Sequence, residues 1–239
     1  MKVHNNFLNG VTDGLPICFG YFSVAFAFGI FAVKNGLTVA EAVLISMTNV
    51  TSAGQLAAVP IIASGGTLIE LAVSQLIINI RYALMSISLS QKVDKSVRTF
   101  DRFVISFVNT DEVFAVASAK FGLTGRKYLY GLILTPYIGW SLGTIVGAAA
   151  GNILPPSIIS SLGIAIYGMF VAIVVPEMKH SKSTAICVLL SVLLSCIFKY
   201  VPGLSAVPGG FVIIICAVIA SAVLAAVSPV NVSEAENEE

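Results

Sequence analysis

The feature that most constrains this chain is a succession of long apolar runs separated by short polar breaks. They read as Leu15–Val33, Glu41–Ala63, Leu68–Ser90, Phe103–Phe121, Tyr128–Ala150, Ser157–Val175, Thr184–Phe198 and Ala206–Ser228. Each approaches the ~20 residues that cross a hydrocarbon core. Lipid satisfies no backbone hydrogen bond, so runs of this kind fit helices. Only 10% of the 239 residues are charged and 57% are hydrophobic, against about 25% charge in a soluble domain. So little charge cannot cover a surface facing water. The chain is therefore predicted to be an all-α, polytopic integral membrane bundle of seven or eight hydrophobic runs. One transmembrane domain occupies residues 1–230, and the acidic segment 231–239 is expected to be a disordered tail.

The same composition narrows function. A formal net charge of +1 suggests no nucleic-acid partner. The cysteines Cys18, Cys187, Cys196 and Cys216 lie inside apolar runs and read as small packing residues; nothing points to a disulfide framework or a metal. The N-terminus has no basic region or small-residue cleavage site, so the first run is expected to be kept as a helix. His4 and His180 lie in no motif, and no nucleophile elbow, zinc-binding His pair or phosphate loop is present. No enzyme activity, cofactor or ATP-driven step is expected of this chain.

Charge placement makes the fourth run unusual. If all eight runs cross, Lys and Arg divide evenly between the two sides, and the positive-inside rule assigns no orientation. If Phe103–Phe121 enters and leaves on one side, nearly all cationic residues share that side, leaving Lys2 and Lys199 on the other. This run also carries Asn109-Thr110-Asp111-Glu112 at its middle. It is predicted to be re-entrant or broken, with Gln91–Arg102 as a cytoplasmic loop. A short internal repeat accompanies this: Pro16-Ile17-Cys18-Phe19-Gly20-Tyr21 recurs loosely as Pro136-Tyr137-Ile138-Gly139-Trp140, half a chain later.

Polar groups within apolar runs are costly and mark function. Arg81, with Asn79 beside it, lies past the middle of the third run; its planar fork suits a carboxylate of a substrate or of the protein. Asp111 and Glu112 are candidates for carrying a coupling proton, one of them paired with Arg81 and the other facing water. In the second run, Ser46, Asn49 and Gln55 are expected on one helical face, with Gly54 and Pro60 permitting local unwinding. Asn49, Gln55, Asn79 and Arg81 are the candidate substrate-binding residues. Gly139, Gly143, Gly147 and Gly151, four residues apart, leave one helix face as bare backbone for close packing. These features fit a transporter; a channel for another small solute, or a membrane scaffold without transport, uses the same residue types.

The segments Gly14-Leu15-Pro16-Ile17…Gly20-Tyr21…Phe28-Gly29, Ser46…Ala53-Gly54-Gln55-Leu56-Ala57-Ala58, Asn79-Ile80-Arg81-Tyr82 and Asp111-Glu112 resemble, in order, landmarks of the AzlC-type branched-chain amino-acid permease family. The resemblance covers nearly the whole chain. It departs at Tyr82, where the family usually has His, and at Thr51-Ser52, where Ala-Gly is commoner. It implies export of leucine, isoleucine, valine and sometimes methionine across a bacterial cytoplasmic membrane. It also implies a small hydrophobic AzlD-type partner subunit.

Overall fold

The computed structural model describes residues 3–151 and 181–227, together with 153, 155, 171, 174–176, 178 and 179. Among them are five helices long and apolar enough to cross a membrane: α1 (Phe7–Lys34), α4 (Leu68–Lys92), α7 (Arg126–Gly151), α8 (Lys182–Tyr200) and α9 (Gly209–Val227). Four shorter helices lie between them: α2 (Val39–Thr48), α3 (Ala53–Ala63), α5 (Thr99–Phe107) and α6 (Asp111–Ser118). The predicted sixth run falls almost wholly outside the described residues, as does the tail 231–239.

Local chemistry sets the starts and stops. Asn6 opens α1 by accepting from the Leu8 and Asn9 N–H groups, and Asn35 with left-handed Gly36 closes it. Thr38 and Glu41 form a reciprocal capping box on α2, and Thr67 caps α4. At α2's far end the Thr51 hydroxyl donates to the Asn49 side-chain carbonyl at 2.7 Å. Ser52, which follows, has φ 45°, in the left-handed region. The helix restarts at Ala53. The second predicted span is thus two half-helices. The reason is local: the polar side chains of Asn49, Thr51 and Ser52 offer the backbone alternatives to helical hydrogen bonds.

The core is the pair α1–α7. Two short strands that precede them, β1 (Val3–His4) and β2 (Leu123–Thr124), pair in parallel, and the helices then run parallel for their whole length. A Cβ on Gly139 would strike the Cys18 backbone, on Gly143 that of Phe22, and on Gly147 that of Phe26. The offset between partners is constant, which is the spatial form of the sequence repeat. Gly10, Gly14 and Gly29 present the same bare backbone to α7 from the α1 side. At Gly151 a Cβ would meet only ordinary contacts, the nearest at 3.5 Å, so the fourth rung of the ladder has room for a small side chain.

Both pairs of short helices are hairpins that enter and leave at one end. The α5–α6 hairpin is tied at the end where α1 begins. The Asp94 N–H donates to the Thr124 carbonyl, the Lys92 ammonium to the Ser118 carbonyl, and the Arg126 N–H to the Ser96 hydroxyl. Tyr130 donates to Asp101 at 2.8 Å. The predicted break in the fourth run is Val108–Thr110. For α2–α3 the opposite end serves, where α1 finishes and α4 begins: the Gly66 N–H returns to Ile61, and Glu70 lies against Gly66. At 1.5 Å per residue, helices of 8 to 11 residues reach about halfway through a ~30 Å core. The two hairpins therefore dip from opposite ends and meet mid-depth.

This topology sorts the charges. Lys92, Lys95, Arg98, Arg102, Lys120, Arg126, Lys127 and Lys182 gather at the end where α1 begins; Lys34 and Lys199 are at the other. By the positive-inside rule the first end is the cytoplasmic one. Because the second run also turns back, Lys34 exchanges sides relative to the sequence expectation. Leu68, Leu76, Ile80, Leu84 and Ile87 leave one face of α4 exposed to lipid.

Candidate functional site

The hairpin tips and the middles of α1, α4 and α7 enclose a cavity of about 980 Å³. From the first hairpin come Val50, Thr51, Ser52 and Ala53; from the second, Thr110, Asp111 and Glu112. Tyr21, Arg81, Tyr82 and Trp140 are among the residues that α1, α4 and α7 add. Its position follows from the broken helices: each tip places a helix start, Ala53 in α3 and Asp111 in α6, in the interior rather than at an end. Helix starts carry unpaired N–H groups and a partial positive charge.

Three formal charges face this space. Arg81 Nη2 lies 2.8 Å from Asp111 Oδ2, both side chains about half exposed (49% and 45%). The guanidinium also lies over the Tyr82 ring, 5.0 Å from its centroid. The Tyr21 hydroxyl donates to Glu112, and the Tyr21 ring meets Trp140 edge-on at 5.0 Å. Asp111 thus has a cation for a partner, whereas Glu112 has a neutral phenol. The cavity carries one uncompensated negative charge, with aromatic walls beside it. The sequence expectation that one acidic residue pairs with Arg81 is met by Asp111; Glu112 is exposed, as expected of the other, and also accepts from the Tyr21 hydroxyl.

The other predicted binding residues are elsewhere. Asn49 and Asn79 both donate to the Gln75 side-chain carbonyl, at 3.2 and 3.1 Å, and Gln75 in turn donates to the Gly54 carbonyl at 2.8 Å. This amide cluster fastens the first hairpin to α4, behind the cavity wall. Gln55 is fully buried, and neither amide atom has a partner among the described residues. Ser46 faces α7, 2.6 Å from the Thr144 hydroxyl. Ser46, Asn49 and Gln55 do not share a helix face, because α2 ends at Thr48 before the stripe is complete.

Tyr21, Trp140 and Gln75 were not among the sequence candidates. The signal for the first two was present: they close the two copies of the internal repeat, and the parallel α1–α7 pairing brings them together. Gln75 gave no such signal, since its role exists only against the broken second run.

The family model described as AzlC protein matches residues 16–154, from Pro16 within α1 to beyond the end of α7. The inner membrane protein YgaZ of Escherichia coli is 28% identical over 75% of this chain and 76% of its own length. An uncharacterized membrane protein of Archaeoglobus fulgidus is 31% identical over 72% of this chain and 76% of its own. No solved structure matches the chain. With that match spanning the whole cavity and more than half of the residues, the chain belongs to the AzlC family of membrane proteins.

Proposed function

We propose that this chain is a secondary transporter that exports branched-chain amino acids, with leucine, isoleucine and valine as substrates and methionine as a further one. It works across a bacterial cytoplasmic membrane, coupled to protons, beside a small hydrophobic AzlD-type subunit. The observation that carries the reading is the mid-depth cavity between two opposed half-helix hairpins, holding Arg81, Asp111 and Glu112. Transporter sites are built this way, from discontinuous helices at the membrane midplane. The volume falls within the ~300–1,000 Å³ of small-molecule sites.

A zwitterion suits the charges. Its carboxylate takes Arg81, in competition with Asp111, or the start of α3. Its ammonium takes Glu112, which otherwise accepts from the Tyr21 hydroxyl. Pro16, Ile17 and Val24 of α1 and Val50 of the hairpin accept the aliphatic chain. Glu112 gives the coupling its sign. The ammonium binds the ionised carboxylate, so a proton arriving there from outside expels the substrate. Substrate and proton then use Glu112 in turn, as export against an inward proton gradient requires. Asn49 and Asn79, through Gln75, hold the hairpin's geometry.

The test is efflux of preloaded radiolabelled leucine from cells expressing this chain with and without its partner subunit. Efflux that needs both proteins and collapses with an uncoupler is expected. Absence of leucine efflux, with both proteins present in the membrane, would reject the substrate assignment.

A further inference from the structure

A second cavity, of about 630 Å³, lies at the opposite end from the cationic loops, between α3, the start of α4 and the start of α9. The helix α3 separates the two cavities: Ala53 faces the inner one, and Leu56 and Ala57 the outer. Phe31, Ile61 and Ile213 make its walls apolar, and Glu70 is set among them with 4% of its surface exposed.

Glu70 is in an unexpected place for its sequence. Thr67-Leu68-Ile69-Glu70 has the pattern of a capping box. The pattern closes fully in Thr38–Glu41, where the carboxylate returns to the Thr38 N–H at 2.7 Å. At α4 only half of it forms: the Glu70 N–H donates to Thr67 at 3.1 Å, while the carboxylate turns away and accepts from the Gly210 N–H at 2.9 Å. Glycines line its seat on two sides. A Cβ on Gly210 or on Gly66 would collide with the Glu70 side chain. No Lys, Arg or His pairs with it among the described residues.

The rest of the cavity also offers acceptors. Pro60 has no N–H to give the Leu56 carbonyl one turn earlier, and both residues line the space. The C-terminus of α3, with its partial negative charge, ends there at Ser64. A largely apolar chamber with one buried carboxylate, backbone carbonyls and the hydroxyls of Ser64 and Ser205 asks for a cation that carries hydrocarbon.

We propose that this outer cavity is a second binding site, for a primary ammonium group on a branched aliphatic chain, with Glu70 as its counter-ion. The inference rests on the transport reading in one respect: the ligand is the amino end of the proposed substrate, at its exit position.

Binding of radiolabelled 3-methylbutylamine tests it, on the full-length chain in lipid nanodiscs. This amine has the ammonium and branched chain but no carboxylate. The measurement uses the Glu112→Gln background, which removes the inner cavity's own ammonium acceptor. Saturable binding is expected there. Adding Glu70→Gln, which keeps an acceptor for the Gly210 N–H and loses the charge, weakens it at least tenfold. Ala57→Leu, which fills the cavity and leaves Glu70 in place, does the same. No saturable binding in the Glu112→Gln background, or binding that survives both added changes, would overturn the proposal. Leucine efflux by the unmutated chain is read separately. Glu70-dependent amine binding without efflux would keep this site and remove the amino-acid reading; efflux without amine binding would do the reverse.

Discussion

The charged residues of the inner cavity do different work although two are neighbours in sequence. Asp111 and Arg81 are half exposed to the cavity, so their pairing adds only about 0–1 kcal/mol to stability. Arg81→Ala is therefore expected to cut leucine efflux at least tenfold while thermal unfolding in detergent stays nearly unchanged; unaltered efflux would remove Arg81 from the site. Tyr21→Phe leaves Glu112 without its phenol donor. It is expected to shift the external pH dependence of efflux while sparing the amount of protein in the membrane; an unshifted profile would detach Tyr21 from proton coupling. At this scale the sequence was legible where a residue is expensive in lipid. Arg81, Asp111 and Glu112 stand out because no apolar run carries such groups without cause. Asn49 and Asn79 stand out for the same reason, yet they serve the hairpin's fastening, and Gln55 is buried outside the cavity lining. Cost identifies a polar residue as needed without saying what needs it. Tyr21 and Trp140 cost little in a membrane and drew no notice outside the repeat.

Among the elements, the α1–α7 pair is the rigid part. A methyl at Gly147 would meet the Phe26 backbone, which cannot move aside as a flexible side chain can. Gly147→Ala is expected to destabilise by about 1–3 kcal/mol, the usual penalty of overpacking. Gly151→Ala should stay within about 0.5 kcal/mol. Equal melting temperatures for the two variants would contradict the parallel packing. The glycine spacing announced a close partner; only the structure names it as α1 of the same chain. The hairpins were half legible. The polar centre of the fourth run and the charge count pointed to its break. The second run hid its own break inside an apolar stretch of spanning length, since Asn49–Ser52 also reads as a polar stripe on one continuous helix. The amide cluster around Gln75 decides between the two. Gln75→Leu removes the common partner of Asn49 and Asn79 and is expected to cost about 1–2 kcal/mol, read in the same melting assay.

For the whole molecule, two hairpins entering from opposite ends place residues 95 and 127 on the cytoplasmic face and residues 34 and 64 on the other. Lys95→Cys and Lys127→Cys should label only from inside, and Lys34→Cys and Ser64→Cys only from outside; labelling of Lys34→Cys and Lys127→Cys from one face would break the topology. The inner cavity then lies where a substrate could be offered to either side, with α3 between it and the outer chamber that holds Glu70. Transport of this kind requires the substrate to occupy that inner cavity. The most direct measurement is the alkylation rate of Thr51→Cys, in a chain whose four native cysteines are replaced, with and without leucine. Protection by leucine at the concentrations that saturate efflux, and none by glutamate, is the predicted result. An alkylation rate indifferent to leucine, in protein that still exports it, would place the substrate elsewhere and contradict the account.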